Sequence, residues 1–265
     1  MGEGFLAFGK LALAVAIGLP LLAYLVQDSL IFHPQPLAQA RQSAIGQRFA
    51  NVERVFIDAA DGTRLHAWHV RAGPAAPLIL YFGGNAEEVS WMLGVVAQRA
   101  PGTGWLLVDY RGYGASAGSP SETALVSDGL RWYDHAARDS KRIYVFGRSL
   151  GSGVAVQVAA ARQVAGAILV APFDSMVALG AHHYPVLPVK WLLRHRFESL
   201  ARAPAIESKL LCLVAERDSI VPIEHSRRLY EAWGGPKSWV ELAGAGHNST
   251  DDAPPFWDSI RAFLR

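Results

Sequence analysis

The sequence of 265 residues contains a single cysteine and no long run of basic residues. Cys212 has no second cysteine for a disulfide or a shared metal site, and its apolar neighbours 210–214 predict a buried strand position. The formal net charge is only +2, with one local basic cluster at 190–196, so nucleic acid is not an expected partner. Repeats and low-complexity tracts are also missing, and this length predicts one domain with a full core.

Charged residues are nearly absent from one further segment. Residues 5–26 are apolar except for Lys10, and a helix of about this length crosses the hydrocarbon core of a bilayer. No small-residue cleavage pattern follows, which favours an uncleaved anchor over a signal peptide or a core helix. We therefore expect an anchor over 1–27 and a folded domain over 28–265. Lys10 precedes most of the span while Arg41 and Arg48 follow it, so these charges specify its orientation poorly.

Eight short runs rich in β-branched and aromatic residues have the length of strands. They are 52–57, 65–70, 78–82, 105–108, 143–146, 167–170, 210–214 and 239–242. Helical spacing occurs between most of them, at 86–99, 121–137, 149–162, 223–233 and 254–264. Asp61-Gly62 predicts a hairpin between the first two strands, and the later alternation predicts a mostly parallel sheet with helices on both faces. The segment 28–47 reads as a linker with a helical turn or two, and the proline-broken segment 174–203 as an insertion between two strands.

The pattern Gly-x-Ser-x-Gly occurs twice, but only one copy lies between a strand and a helix. The copy at 147–151 follows the strand 143–146 and opens a helix, which is the turn that exposes a nucleophilic serine. The copy at 114–118 runs into Ser119-Pro120, which cannot begin a helix directly after the serine. Ser149 is therefore the predicted nucleophile, and Ser116 is predicted to be a loop residue.

A serine nucleophile needs a base, and the base needs an acid that orients it. His247 follows the strand 239–242 beside glycines, whereas the other histidines precede Ser149, lie in the insertion or lie on a surface helix. Asp218 follows the strand 210–214 and is the favoured acid; Asp174 is its rival and Glu216 a weaker third choice. The predicted order serine, acid, histidine is that of α/β hydrolases.

The reaction also needs backbone N–H groups that hold a tetrahedral oxyanion. Leu150, directly after the nucleophile, is the first candidate donor. The second is expected in the glycine-containing loop after the third strand, at Asn85, with Gly84 as the next choice. A plain turn with Asn85 as the helix N-cap is a compatible alternative.

These elements resemble the α/β-hydrolase superfamily, and more narrowly its Bem46-like or ABHD13/ABHD17-like branch of membrane-associated serine hydrolases. The resemblance covers about residues 28–265 and rests on motifs in order: 30–34 (LIFHP), 81–86 (YFGGNA), 109–118 (DYRGYGASAG), the Ser149 turn, 185–197, 217–222 (RDSIVP) and 246–248 (GHN). It implies that the second Gly-x-Ser-x-Gly is structural and that Asp109 and Arg111 stabilise the fold. In the family the loop after the third strand reads His-Gly-Asn-Ala-Gly, whereas here Gly83 replaces the histidine and Glu87 the last glycine.

The sequence thus predicts a membrane-anchored serine hydrolase for carboxylic esters or thioesters, with lipid or acylated substrates and no metal or organic cofactor. The insertion is expected to be a small lid; Trp191 beside Lys190 and Arg194 also suits contact with membrane lipids. A peptidase or amidase with the same triad and a non-catalytic membrane scaffold are the alternatives. The scarcity of cysteine and the position of Lys10 favour a bacterial inner membrane with a periplasmic catalytic domain.

Overall fold

One eight-stranded sheet forms the centre of the protein. The computed structural model describes residues 2–265, without the side chains of 2–6, 11–13 and 46; Met1 of the expected anchor lies outside the described residues. The strands are β1 (Val52–Asp58), β2 (Arg64–Val70), β3 (Leu78–Phe82), β4 (Gly104–Asp109), β5 (Ile143–Arg148), β6 (Gly166–Val170), β7 (Leu210–Ala215) and β8 (Lys237–Leu242). Their spatial order is β1-β2-β4-β3-β5-β6-β7-β8. β2 is antiparallel to β1 and β4, and all other neighbours are parallel.

Helices cover both faces of this sheet. The helices of the described chain are α1 (Gly2–Ile31), α2 (Gln39–Arg48), α3 (Met92–Arg99), α4 (Glu122–Ala136), α5 (Leu150–Ala161), α6 (Met176–His183), α7 (Val189–Leu192), α8 (Ser199–Arg202), α9 (Ile223–Ala232) and α10 (Pro254–Leu264). The core on one face includes residues of α4, α5 and α9, and the core on the other includes residues of α3 and α10. Phe82 and Phe146 are buried on opposite faces, and burial of one such side chain contributes about 1.5–3 kcal/mol.

The α/β-hydrolase fold predicted from the sequence is confirmed. All eight strands begin and end within two residues of their predicted bounds. The hairpin at Asp61-Gly62 forms, with Gly62 at a φ of +78°. Cys212 is buried in β7, as its apolar neighbours predict.

Two local predictions were wrong. The helix expected from residue 86 begins later, because Ala86 has a φ of +56° and the Glu88 carboxylate accepts the Ser90 N–H (2.9 Å) to start a short 3-10 turn before α3. The segment expected to be a linker is largely helical. α1 continues past residue 27 to Ile31, and α2 is ten residues long.

The N-terminal helix and the insertion both lie near the carboxyl ends of the parallel strands. The stretch Ala7–Ile31 of α1 is long and apolar enough to cross a membrane. α6, α7 and α8 occupy the segment between β6 and β7 that was predicted to be an insertion. We call residues 174–203 the lid. Residues of α1 and of the lid line one shared cavity, which is described below.

Candidate active site

Ser149 lies on a strained turn between β5 and α5. Its φ and ψ are +49° and −117°, a region that residues with a side chain seldom adopt. A Cβ atom at position 147 would lie 2.5 Å from the carbonyl oxygen of Gly151, and one at position 151 would lie 2.1 Å from that of Phe82. Both glycines are therefore required by close backbone approach. The Gly-x-Ser-x-Gly spacing follows from packing at this turn as well as from chemistry.

His247 and Asp218 reach Ser149 from the two neighbouring loops after β8 and β7. His247 Nε2 lies 2.9 Å from Ser149 Oγ, and His247 Nδ1 lies 2.7 Å from Asp218 Oδ2. The second carboxylate oxygen, Asp218 Oδ1, accepts the N–H groups of Ile220 and Val221 at 2.9 and 2.8 Å. The Asp218 side chain is only 3% exposed, so these bonds fix an almost fully buried carboxylate against the imidazole.

The alternative acids have other partners. The Asp174 carboxylate lies 2.7 Å from His225 Nδ1 and accepts a hydrogen bond from the Arg228 guanidinium at 2.7 Å. Glu216 accepts the Gly244 N–H at 2.6 Å. Of the three acids weighed, Asp218 is therefore the one in contact with His247 in the structure.

The three candidate oxyanion donors differ in their hydrogen bonding. Leu150 is the first residue of α5, so its N–H has no partner within the helix. The backbone N–H of Asn85 makes no hydrogen bond to any described residue. The Gly84 N–H, in contrast, donates to Glu87 Oε2 at 2.6 Å and is engaged in this conformation. Of the three candidates, Leu150 and Asn85 are therefore the donors without an acceptor among the described residues.

Glu87 makes contacts that the sequence did not indicate. Its Oε1 accepts the Tyr81 hydroxyl at 2.6 Å and the Trp91 indole N–H at 3.1 Å. A Cβ atom at Gly83 would lie 3.2 Å from the Glu87 carboxyl carbon, so this carboxylate lies against the position from which a residue-83 side chain would project. Burial, reinforced by the nearby Glu87 charge, raises the pKa of Tyr81 well above its usual value and keeps the hydroxyl a donor.

A cavity of about 420 Å³ opens directly over Ser149. This volume lies within the range of small-molecule sites, roughly 300–1,000 Å³. Most of its wall is apolar. The lid contributes the largest share of the lining residues, and the end of α1 contributes a second part. Lining residues include Phe173, Leu179, Leu187 and Val189, with Leu30 and Ile31 of α1. The role of α1 as a cavity wall was missed; the one signal for it is the polar pair Gln27-Asp28 at the end of an apolar run.

The second Gly-x-Ser-x-Gly lies in the loop after β4, and its residues are not among those that line this cavity. The hydroxyl of Ser116, which is 8% exposed, accepts the His66 N–H and donates to the carbonyl oxygen of Asp109, both at 2.8 Å. The buried Asp109 carboxylate lies 2.7 Å from His66 Nδ1, and the Arg111 guanidinium donates bidentate hydrogen bonds to the Asp128 carboxylate. These contacts give Ser116 and Arg111 structural roles. Among the described residues, no cluster of three or more His, Cys, Asp or Glu side chains could hold a metal ion.

The fold is that of the α/β hydrolases, and comparison with known proteins agrees. The chain matches the family described as serine hydrolase over residues 130–265. An uncharacterised Mycobacterium tuberculosis protein, Rv2307c, is 35% identical over 94% of this chain and 91% of its own length. An α/β hydrolase domain-containing protein of Arabidopsis thaliana, WAV2, is 29% identical over 98% of this chain and 93% of its own length.

Two further similarities concern the membrane and the fold. An uncharacterised membrane protein of Saccharomyces cerevisiae, YNL320W, is 31% identical over 80% of this chain and 79% of its own length. Among solved structures, a Pyrococcus furiosus esterase superposes with a TM-score of 0.64 over 88% of this chain and 97% of its own, at 20% identity, which supports the fold. The chain belongs to the serine hydrolase family, within the ABHD-like α/β hydrolases.

Proposed function

We propose that this protein is a membrane-anchored serine hydrolase that cleaves carboxylic ester or thioester bonds with Ser149, His247 and Asp218. The observation that carries the proposal is the continuous hydrogen-bonded chain from Asp218 Oδ2 through His247 to Ser149 Oγ, at 2.7 and 2.9 Å. A hydroxyl so placed loses its proton to the imidazole as it attacks, and the carboxylate stabilises the imidazolium that forms.

The reaction proceeds in two halves. Ser149 Oγ attacks the acyl carbonyl while its proton passes to His247 Nε2, and the N–H groups of Leu150 and Asn85 hold the oxyanion. When the intermediate collapses, the bond to the leaving oxygen or sulfur breaks and His247 returns the proton to that atom. A water molecule then attacks the acyl-enzyme and gives a proton to His247. When this second intermediate collapses, the bond between the acyl carbon and Ser149 Oγ breaks, His247 returns the proton to Ser149 Oγ, and the acid is released. Neither a metal nor an organic cofactor takes part in this scheme.

We propose lipid or acylated molecules as the substrates. The cavity above Ser149 is walled mainly by aliphatic and aromatic side chains, which suits an acyl chain better than a polar group. α1 would hold the domain at the bilayer, where such substrates are concentrated. The lid also exposes large apolar side chains next to cationic ones, since Val186 and Trp191 are 86% and 83% exposed beside Lys190 and Arg194. This part of the lid is suited to contact with anionic lipid headgroups.

The periplasmic side of a bacterial inner membrane is part of the same proposal. It is supported by Lys10 near the start of the span and by the single cysteine. Fusion of alkaline phosphatase, which is active only outside the cytoplasm, to the C-terminus tests this placement. An active fusion is expected. An inactive phosphatase with a fluorescent cytoplasmic fusion partner at the same position would reverse the assigned side.

The triad is tested by labelling the full-length protein in detergent with a fluorophosphonate probe. The wild type is expected to form an adduct, Ser149→Ala to form none, and the matched control Ser116→Ala to retain it. An unlabelled wild type would favour a non-catalytic scaffold, and an adduct on Ser149→Ala would refute the nucleophile.

The bond type is tested with p-nitrophenyl esters of two to sixteen carbons, acyl thioesters and aminoacyl amides. Ester or thioester turnover that improves with chain length is expected, because each buried methylene contributes about 0.8 kcal/mol. Turnover of amides without turnover of esters would make the protein an amidase or peptidase instead.

A further inference from the structure

The end of α1 is bonded to the lid through a buried glutamine. Gln27 is 4% exposed and directly follows the apolar run of α1. Its Oε1 accepts the Arg194 N–H at 2.7 Å, and its Nε2 donates to the carbonyl oxygens of Leu192 at 3.2 Å and of Tyr24 at 2.9 Å. A buried polar side chain is costly unless it finds partners, and here two of the three partners are lid backbone groups.

The next residue of α1 adds charged contacts to the same part of the lid. Asp28 Oδ1 lies 2.8 Å from the Arg194 guanidinium and 2.7 Å from His195 Nε2. His195 is buried and its ring packs edge-on against Phe32, with the centroids 4.9 Å apart. Two adjacent residues of α1 therefore hold lid residues 192–195 by both backbone and side-chain bonds.

The last residue of α1 and the residues after it are bonded as well to the loop after β3, residues 83–87, which we call the oxyanion loop because it carries the candidate donor Asn85. Asn85 Nδ2 donates to the carbonyl oxygen of Ile31 at 2.6 Å, and Asn85 Oδ1 accepts the His33 N–H at 3.0 Å. The Tyr113 hydroxyl donates to the same Oδ1 at 3.0 Å. Residues at the end of α1 and just after it thus fix the Asn85 side chain. The backbone N–H of the same residue is the candidate oxyanion donor and makes no hydrogen bond to a described residue.

α1 is long enough both to cross a bilayer and to contact the catalytic domain with its last turn. A helix rises about 1.5 Å per residue, so roughly 20 residues cross a 30 Å hydrocarbon core. The apolar stretch Ala7–Ile31 has 25 residues, which leaves its last turn free to pack on the domain. Ala23, Gln27, Leu30 and Ile31 line the cavity over Ser149.

We propose that Gln27, Asp28, Ile31 and His33, which we call the junction, are a positioning element of the active site: Gln27 and Asp28 hold the lid, and Ile31 and His33 orient the Asn85 N–H. The inference rests on the proposed hydrolase function for its kinetic consequences. The membrane-spanning part of α1 anchors the enzyme, but the junction completes its cavity and its oxyanion loop. A protein cut free at residue 33 would be soluble and impaired.

The kinetic test uses full-length protein in detergent micelles and p-nitrophenyl acetate and palmitate as substrates. Gln27→Leu keeps the bulk of the side chain and removes both lid bonds, so the larger effect should fall on KM, with about a tenfold rise for palmitate, equivalent to about 1.4 kcal/mol, and a smaller one for acetate. Asn85→Ala keeps the N–H but frees the loop, and should lower kcat on both esters by about 10-fold to 100-fold. Ser29→Ala is the matched control, because the exposed Ser29 hydroxyl donates to the carbonyl oxygen of Val26 within α1 and bonds to no other described residue.

Hydrogen exchange of the same proteins gives a readout that does not depend on activity. Gln27→Leu should speed exchange at Arg194, and Asn85→Ala should speed it at His33 and 84–87, relative to Ser29→Ala. If both Gln27→Leu and Asn85→Ala show the same exchange rates and the same kinetic constants as Ser29→Ala, the junction proposal is overturned. A wild type that turns over no ester would overturn the hydrolase proposal instead, and the exchange result would still decide whether the junction holds the lid and the loop.

Discussion

Replacing Ser149 by glycine is predicted to abolish activity and to give a protein more stable than the equally inactive Ser149→Ala. Ser149→Gly and Ser149→Ala both remove the hydroxyl and its bond to His247, so the difference between them isolates the effect of the Cβ atom. At a φ of +49° and ψ of −117°, a residue with a Cβ atom is strained by about 1–3 kcal/mol. Glycine relieves that strain but loses about 0.5–1 kcal/mol through the greater freedom of the unfolded chain. The net gain over Ser149→Ala is therefore about 1 kcal/mol.

Thermal and urea unfolding of the two variants in the same detergent measures this difference. About 1 kcal/mol corresponds to a Tm higher by about 2–4 °C for a domain of this size. The control is Ala160→Gly in α5, where an exposed helical residue loses about 1 kcal/mol, so the same type of replacement changes stability in the opposite direction. A Ser149→Gly protein no more stable than Ser149→Ala would refute the assignment of strain to the nucleophile.

Three further predictions follow from the same geometry. Gly151→Ala should fold poorly or lose fluorophosphonate labelling, since its Cβ atom would lie 2.1 Å from Phe82 O and overpacking commonly costs about 1–3 kcal/mol; a variant with wild-type melting and labelling would contradict this contact. Asp218→Asn should lower kcat by about 10⁴ with the fold intact by circular dichroism, because the amide favours the wrong imidazole tautomer, and a decrease of less than tenfold would exclude Asp218 as the acid. Burial raises the pKa of the Cys212 thiol well above its usual value, so maleimide at pH 8 should label the urea-unfolded chain and not the folded one; rapid labelling of native protein would show that the thiol is accessible.

The predictable parts of this protein were those fixed by local constraints. The strands β3 to β7 are buried over nearly their whole length and consist of continuous apolar runs, so they could be located from the sequence alone. The Asp61-Gly62 turn marked the antiparallel pair β1 and β2. The Ser149 turn was recognisable because close approach permits only glycine at 147 and 151. His247 and Asp218 could be ranked because open parallel sheets place functional loops at the carboxyl ends of their strands. Their hydrogen bonds in the structure are consistent with that ranking, and labelling and kinetics test their roles.

The features that escaped prediction depend on contacts distant in sequence. The helical reading of 86–99 failed at its start because Asn85 and Ala86 are held by contacts of Asn85 with residues 31–33, more than fifty positions earlier. The continuation of α1 beyond residue 27 could not be inferred from composition, because Gln27 and Asp28 look like a polar end to an apolar helix. Their partners, at 192–195, lie between β6 and β7 and are separated from them by 165–167 positions in sequence.

Gly83 and Glu87, which differ from the histidine and glycine of the family motif, share one space in the structure. A glycine at 83 supplies no side chain, and the Glu87 carboxylate lies over it instead, bonded to the Gly84 N–H and to the Tyr81 hydroxyl. A carboxylate beside an oxyanion site is electrostatically unfavourable, but the nearby Arg148 guanidinium, which lies over the Trp91 ring and 3.5 Å from Asp251, offsets part of that charge. Because the carboxylate occupies the Gly84 N–H, Asn85 is the one of these two candidate donors whose N–H has no acceptor among the described residues. Gly83→His alone would therefore place a side chain against the Glu87 carboxylate, and Glu87→Gly alone would leave a gap beside residue 83.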